Sequence, residues 1–232
     1  CSSSRSSFGS GGIKKSLVLG ALNEMNETYA NADIIFELCE DVHYIDNDLY
    51  IETIPSEVSG LMSNNNVDGS INIYFIPQVI NGSGDGICGN ATFPSTTPSQ
   101  RRILMDNNCV TNGSTLIHEM GHYFGLLHTH STSNGIEYVE RVNCTSAGDR
   151  FCDTPADPRL SGSTVTNCVY VGGEVDPNGV SYVSDPSNFM SYAPKSCRIN
   201  FSPDQYAHLS LIAATDNDYH LNTCDLPDFE IT

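Results

Sequence analysis

The string that most restricts this chain runs His118-Glu119-Met120-Gly121-His122-Tyr123-Phe124-Gly125-Leu126-Leu127-His128. On a helix, residues four apart project from one face, so His118 and His122 can present both imidazoles to one metal ion. Glu119 then stands beside that ion, where its carboxylate can hold a water. Gly125 can adopt a backbone conformation that other residues avoid, which ends the helix and swings His128 back as a third nitrogen ligand. Three neutral imidazoles and one open position describe a catalytic zinc site, with Zn–N distances of roughly 2.0–2.1 Å. A structural site would need four protein ligands, often thiolates. The chain therefore has to supply a helix over Ser114–Leu127 and an open space in front of it.

Composition narrows the setting. The 232 residues suffice for one large domain or two small lobes. Ten basic residues face 28 acidic ones, a formal charge of −18, which disfavours nucleic acid and anionic membrane surfaces as partners. No run approaches the ~18 apolar residues of a membrane span; Ser16–Leu22 and Ile71–Ile80 are the richest, and both are broken by polar residues. The Ser/Gly-rich start lacks the apolar core of a signal peptide, so the chain is expected to begin after any leader was removed.

The nine cysteines contain no CxxC pair and point to disulfides in an oxidising, extracellular compartment. Cys144, Cys152, Cys168 and Cys197 bracket the least regular segment and are expected to form two disulfides. Cys88 with Cys109 is expected as a third, across the long loop before the histidine helix. Cys1 is the odd one out: free, paired between chains, or lipid-modified at a mature N-terminus. A secreted monomer is the expectation.

Residues 1–12 read as a flexible Ser/Gly-rich tail and 13–232 as one domain. Lys15–Asn31 carries Leu17, Leu22, Met25 and Tyr29 at helical spacing. Asp33–Ile45 reads as a strand or two, Ser70–Ile80 as a strand that Pro77 ends, and Ile103–Asp106 as a short strand. Asn81–Gln100, rich in Gly and Pro, reads as a long surface segment. Ser131–Ala193 reads as irregular chain held by cysteines. Ser202, Pro203, Asp204 and Gln205 form a helix-capping signature, and the helix that follows, to Leu221, turns Leu209, Ile212 and Ala213 inward.

The zinc string, with Met190 in the turn Asn188–Tyr192, resembles the metzincin signature of zinc endopeptidases. Three further words, "GDRFCDTPADP" (Gly148–Pro158), "NFMSY" followed by Cys197, and "NFSPDQ" (Asn200–Gln205), look like the pappalysin family. The resemblance implies an α+β, two-lobed catalytic domain. Its upper lobe, about 13–127, would hold a twisted mixed sheet with two long helices. Its lower lobe, about 128–232, would be irregular, disulfide-rich and closed by a helix, with the cleft between the two.

The resemblance further implies that His118, His122 and His128 hold zinc and that Glu119 is general base and acid. Met190 would form the turn under the metal, and Tyr192 would stabilise the tetrahedral intermediate. It implies structural calcium at Asp149 and Thr154, with Asp153 between them, and oxygen donors on an acidic loop are what calcium takes. Arg-preferring relatives carry an acidic residue five positions after the methionine of the turn. Here that position is Lys195, at the base of the S1′ pocket, so Arg or Lys after the cut is disfavoured. Protein or peptide substrates are expected, held by strand addition to an edge strand from Arg101–Asp106. The competing expectation is a zinc-binding scaffold that uses the cleft only to hold a protein partner.

Overall fold

The computed structural model describes residues 2–5, 12–39 and 41–215. The expectations placed on Cys1 and on the last helix beyond Thr215 lie outside these residues. Strand β1 (Ser2–Arg5) precedes helix α1 (Lys15–Tyr29), and β2 (His43–Asp46), β3 (Glu52–Thr53) and helix α2 (Ser59–Asn65) follow. Then come β4 (Ile73–Ile76), β5 (Gln78–Ile80), β6 (Gly86–Ile87), β7 (Gly89–Ala91) and β8 (Ile103–Asp106), leading into α3 (Thr115–Tyr123). A long irregular stretch follows, interrupted by β9 (Val165–Thr166) and β10 (Val169–Tyr170), before α4 (Pro203–Thr215).

The main sheet has the order β2-β1-β4-β8-β7. Its first four strands are parallel, and β7 runs antiparallel to β8. Strands β3, β5 and β6 form a second, smaller sheet. Side chains alternate across a strand, and here both faces are covered. Ile73, Phe75, Ile103 and Met105 pack with Val18, Met25, Tyr29, Leu116, Ile117 and Met120 of α1 and α3. Tyr74, Ile76 and Leu104 face the other way, onto Val58 and Leu61 at α2. That is why β4 and β8 are buried at every position. Each such large apolar side chain contributes about 1.5–3 kcal/mol when fully buried.

Helix α1 turns Val18, Ala21, Met25 and Tyr29 to the core, so Val18 rather than Leu17 lies on the buried face. The stretch from Asp33 yields only β2. Asp33 adopts φ 55° at the end of a helical turn. Asn26 then brackets Phe36: its Oδ1 accepts from the Phe36 N–H at 2.7 Å and its Nδ2 donates to the Phe36 carbonyl at 2.9 Å. A side chain thus takes the role of a neighbouring strand, and Phe36 lies on Tyr29 instead of in a sheet. Within the expected tail, Ser2–Arg5 pairs with both β2 and β4, which needs backbone groups and no apolar pattern.

The loop expected over Asn81–Gln100 supplies β6 and β7, and this corrects the edge assignment. Strand β8 is interior, paired with β4 and β7, so it offers no free edge; β7 is the outer strand. Cys88–Cys109, Cys144–Cys152 and Cys168–Cys197 are bonded as expected. The last of these sits in a small core with Leu160, Val165 and Ala193. Helix α4 has its capping box: Gln205 N–H donates to Ser202 Oγ at 3.2 Å, and Ser202 N–H donates to Gln205 Oε1 at 2.9 Å.

Candidate metal centre

Helix α3 is buried along its whole length, because its apolar face packs on the sheet and its histidine face is roofed by later chain. It is shorter than the expected Ser114–Leu127. Gly125 takes φ +95°, a region where a side chain is strained, and a Cβ there would stand 3.2 Å from His208 Nε2. Its N–H bonds the His122 carbonyl at 2.8 Å, and the Leu126 N–H bonds the Gly121 carbonyl at 2.9 Å. This turn brings His128 onto the helix. The three imidazoles have ligand atoms within 4.8 Å of one another. Nε2 of His128 lies 3.2 Å from that of His118 and 2.9 Å from that of His122.

The opposite ring nitrogens decide the tautomers. His118 Nδ1 faces the Phe189 carbonyl at 2.7 Å, and His122 Nδ1 faces the Leu126 carbonyl at 2.7 Å. A carbonyl only accepts, so both Nδ1 atoms carry the proton and both Nε2 atoms keep a lone pair. These lone pairs converge on His128 Nε2, so one cation placed there would meet all three rings. Burial also keeps the rings neutral. It lowers the pKa of His118 well below the usual imidazole range, that of His122 to about 4 and that of His128 to about 2, with neighbouring imidazoles adding to the effect. Neutral nitrogen donors in a three-point cluster fit zinc.

The carbonyl that orients His118 belongs to the turn carrying Met190. Asn188 Oδ1 accepts from the Met190 N–H at 2.8 Å, and Asn188 Nδ2 donates to Gln205 Oε1 at 2.8 Å. The capping residue of α4 thereby holds the turn that orients His118 on α3. Met190 is fully buried, and a Cβ on Gly121 would meet its Sδ at 2.7 Å, so this glycine admits the turn beneath the histidines. The Tyr192 ring lies 4.6 Å from that of His128 and 4.4 Å from that of His130. His130 in turn stacks on His128 at 4.8 Å.

Glu119 is buried beside the cluster. Desolvation raises its pKa to about 8, against the pull of Arg102, Arg198 and Lys195. Strand β7 presses on it: a Cβ at Gly89 would come within 2.7 Å of Glu119 Cγ. These groups border a cleft of about 910 Å³ lined by the three histidines, Glu119, Tyr192 and β7. Lys195 lines the same cleft and donates to Cys88 Sγ of the disulfide.

The acidic loop is built differently from expectation at one residue. Thr154 Oγ1 donates to Asp149 Oδ1 at 2.9 Å, and both residues are buried. Asp153 instead faces α4, accepting from Ser202 Oγ at 2.8 Å and from the Asp204 N–H at 2.8 Å. The residue that sequence reasoning missed is Glu137. It is 4% exposed, and neither carboxylate oxygen has a hydrogen-bond partner among the described residues. A Cβ at Gly148 would lie 2.5 Å from its Oε2. Burial raises Glu137 to about 7, with Asp149 adding to the shift, and burial raises Asp149 to about 6. A buried carboxylate with both oxygens orphaned, close enough to a second buried carboxylate to raise its own pKa, fits a hard cation. An isolated Glu in irregular chain carries no spacing signal, and the glycine packed on it, Gly148, is distant in sequence.

Comparison with known proteins agrees with this geometry. The model of the peptidase M43 family, described as pregnancy-associated plasma protein-A, matches residues 65–213. An extracellular metalloprotease of Arthroderma benhamiae is 29% identical over 157 residues, covering 62% of this chain and 47% of its own length. A second from that organism is 29% identical over 209 residues, covering 84% and 69%. This chain thus spans about half the length of the first of these relatives. Mirolysin in complex with compound 9 has the same fold, at a TM-score of 0.69 and 17% identity over 93% of this chain and 92% of that one. Mature mirolysin of Tannerella forsythia in complex with a cleaved peptide gives 0.63 and 17% over 90% and 88%.

Proposed function

Because the chain belongs to the peptidase M43 family, we propose that it is a secreted, zinc-dependent endopeptidase. The convergence of three imidazole Nε2 atoms beside a buried glutamate carries this assignment. The names of the relatives, extracellular metalloproteases, support export. Zinc held by His118, His122 and His128 would supply a Lewis acid that polarises the scissile carbonyl and acidifies water.

The remaining steps belong to the chain. Glu119 takes a proton from the attacking water and passes it to the leaving amine. A buried glutamate already shifted upward holds a proton more readily than an exposed one, and the cations around it keep it ionisable. Burial raises the pKa of Tyr192, so its phenol stays protonated and can donate to the developing oxyanion. The outer edge of β7 accepts an extended substrate by strand addition. The cleft then runs between an upper lobe of about 13–127 and a lower lobe of about 128–232. Met190 and Gly125 shape the ligand set, and Lys195 lies in the pocket for the residue after the cut. Incubation with an unfolded protein should give internal cleavages that a zinc chelator stops. Intact substrate under both conditions would contradict the proposal.

Calcium is the cation we assign to the acidic loop, held by Asp149 and Thr154 with Glu137 as a further donor. The charge of Asp153 lies nearby and raises the Asp149 pKa. Calcium at ~100 times its Kd stabilises by about 2.7 kcal/mol. For a chain of this size that is a Tm rise of about 5–10 °C. Glu137→Gln should lose most of that response. Thermal melts with calcium and with a calcium-selective chelator that coincide in the parent protein would rule the site out.

A further inference from the structure

The cleft carries a charge that the molecule as a whole does not. The chain has only ten Lys and Arg residues and a net charge of −18, yet Arg159, Lys195 and Arg198 all line this one cleft. Among the described residues, Glu119 is the one acid that lines it. Arg198 is buried to 9% exposure. Its Nη1 reaches the Ser191 carbonyl only at 3.5 Å, and its Nε has no partner among the described residues. Lys195 Nζ rests on the Cys88–Cys109 sulfurs, which are weak acceptors. The carboxylate of Asp106, the other acid in its neighbourhood, accepts from the Asn108 and Val79 backbone N–H groups instead. Arg159 is set apart, over the Tyr192 ring at 5.5 Å.

The charge of Glu119 acts on buried Arg198 but leaves its Nε without a hydrogen-bond partner among the described residues, and a ligand carboxylate would satisfy it. Glu119 delivers a proton to the leaving amine, so the side chains flanking Glu119 face the residue that carries that amine. Both Lys195 and Arg198 act electrostatically on Glu119. We propose that Lys195, backed by Arg198, selects an Asp or Glu side chain at the residue following the cleaved bond. Resting on the endopeptidase assignment above, this turns a pocket expected only to reject Arg and Lys into one that attracts carboxylates. The long-range field of the acidic chain opposes such substrates, but it is screened within ~8 Å at physiological salt.

Cleavage of a proteome-derived peptide library, followed by sequencing of the new N-termini, tests both statements separately. Enrichment of Asp and Glu at the new N-terminus is the expected result. Cleavage with no such enrichment would overturn the proposal and leave the peptidase standing, whereas no cleavage would sink both. In matched peptides differing as Glu against Gln at that position, kcat/KM should favour Glu roughly tenfold, the worth of one charge-assisted hydrogen bond. Lys195→Met should bring the ratio towards one, and Lys195→Asp should reverse it in favour of Arg-containing peptides. A ratio that Lys195→Met leaves unchanged would remove Lys195 from the pocket.

Discussion

Glu119→Gln should abolish peptide hydrolysis while leaving the fold and the bound zinc in place. Glutamine keeps the size of the side chain but can no longer accept and return a proton. Loss of general base catalysis costs ~10²–10⁴-fold in rate. No loss of the fold is expected, because glutamine fills the same buried space as Glu119. The variant should melt close to the parent temperature, and its zinc content should match. Parent-level cleavage, or an inactive variant that has also lost its metal, would place the chemistry elsewhere.

His122→Ala should lose both metal and activity. Its ring is held by the Leu126 carbonyl at one nitrogen and aimed at His128 by the other. Loss of an orienting partner alone typically costs ~10–100-fold in metal affinity, and removal of a donor costs more. The parent protein should lose thermal stability on chelation, since zinc binds only the folded site. The variant should not respond, because the two imidazoles that remain hold too little metal for the chelator to remove. Equal responses of parent and variant to the chelator would show that the stabilising metal sits outside this cluster.

The metal site is legible in the sequence because its determinants are local. Helical spacing aligns His118 with His122, and a glycine that must take positive φ returns His128. The disulfides are legible for a similar reason: an irregular segment needs crosslinks, and Cys144, Cys152, Cys168 and Cys197 are where they occur. Pairing order is not local, and it accounts for the misplaced edge. The apolar run at Ile103–Asp106 marks a strand, but whether a strand is inner or outer depends on β7, whose Gly-Asn-Ala sequence has no strand signature. Asn26 likewise replaces a strand partner for Phe36 in a way that periodicity does not reveal. Glu137 is hidden for the opposite reason, since its importance comes from neighbours distant in sequence and from burial. The cationic lining of the cleft is dispersed over Arg159, Lys195 and Arg198, and only the fold collects it.

The most direct measurement is a zinc titration of chelated, metal-free protein, with peptide hydrolysis and bound metal followed together. Activity should rise in proportion to bound zinc and stop rising at one equivalent, and His122→Ala should show neither binding nor activity. Hydrolysis that persists in metal-free protein, or zinc binding that leaves the rate unchanged, would contradict a single catalytic zinc at His118, His122 and His128.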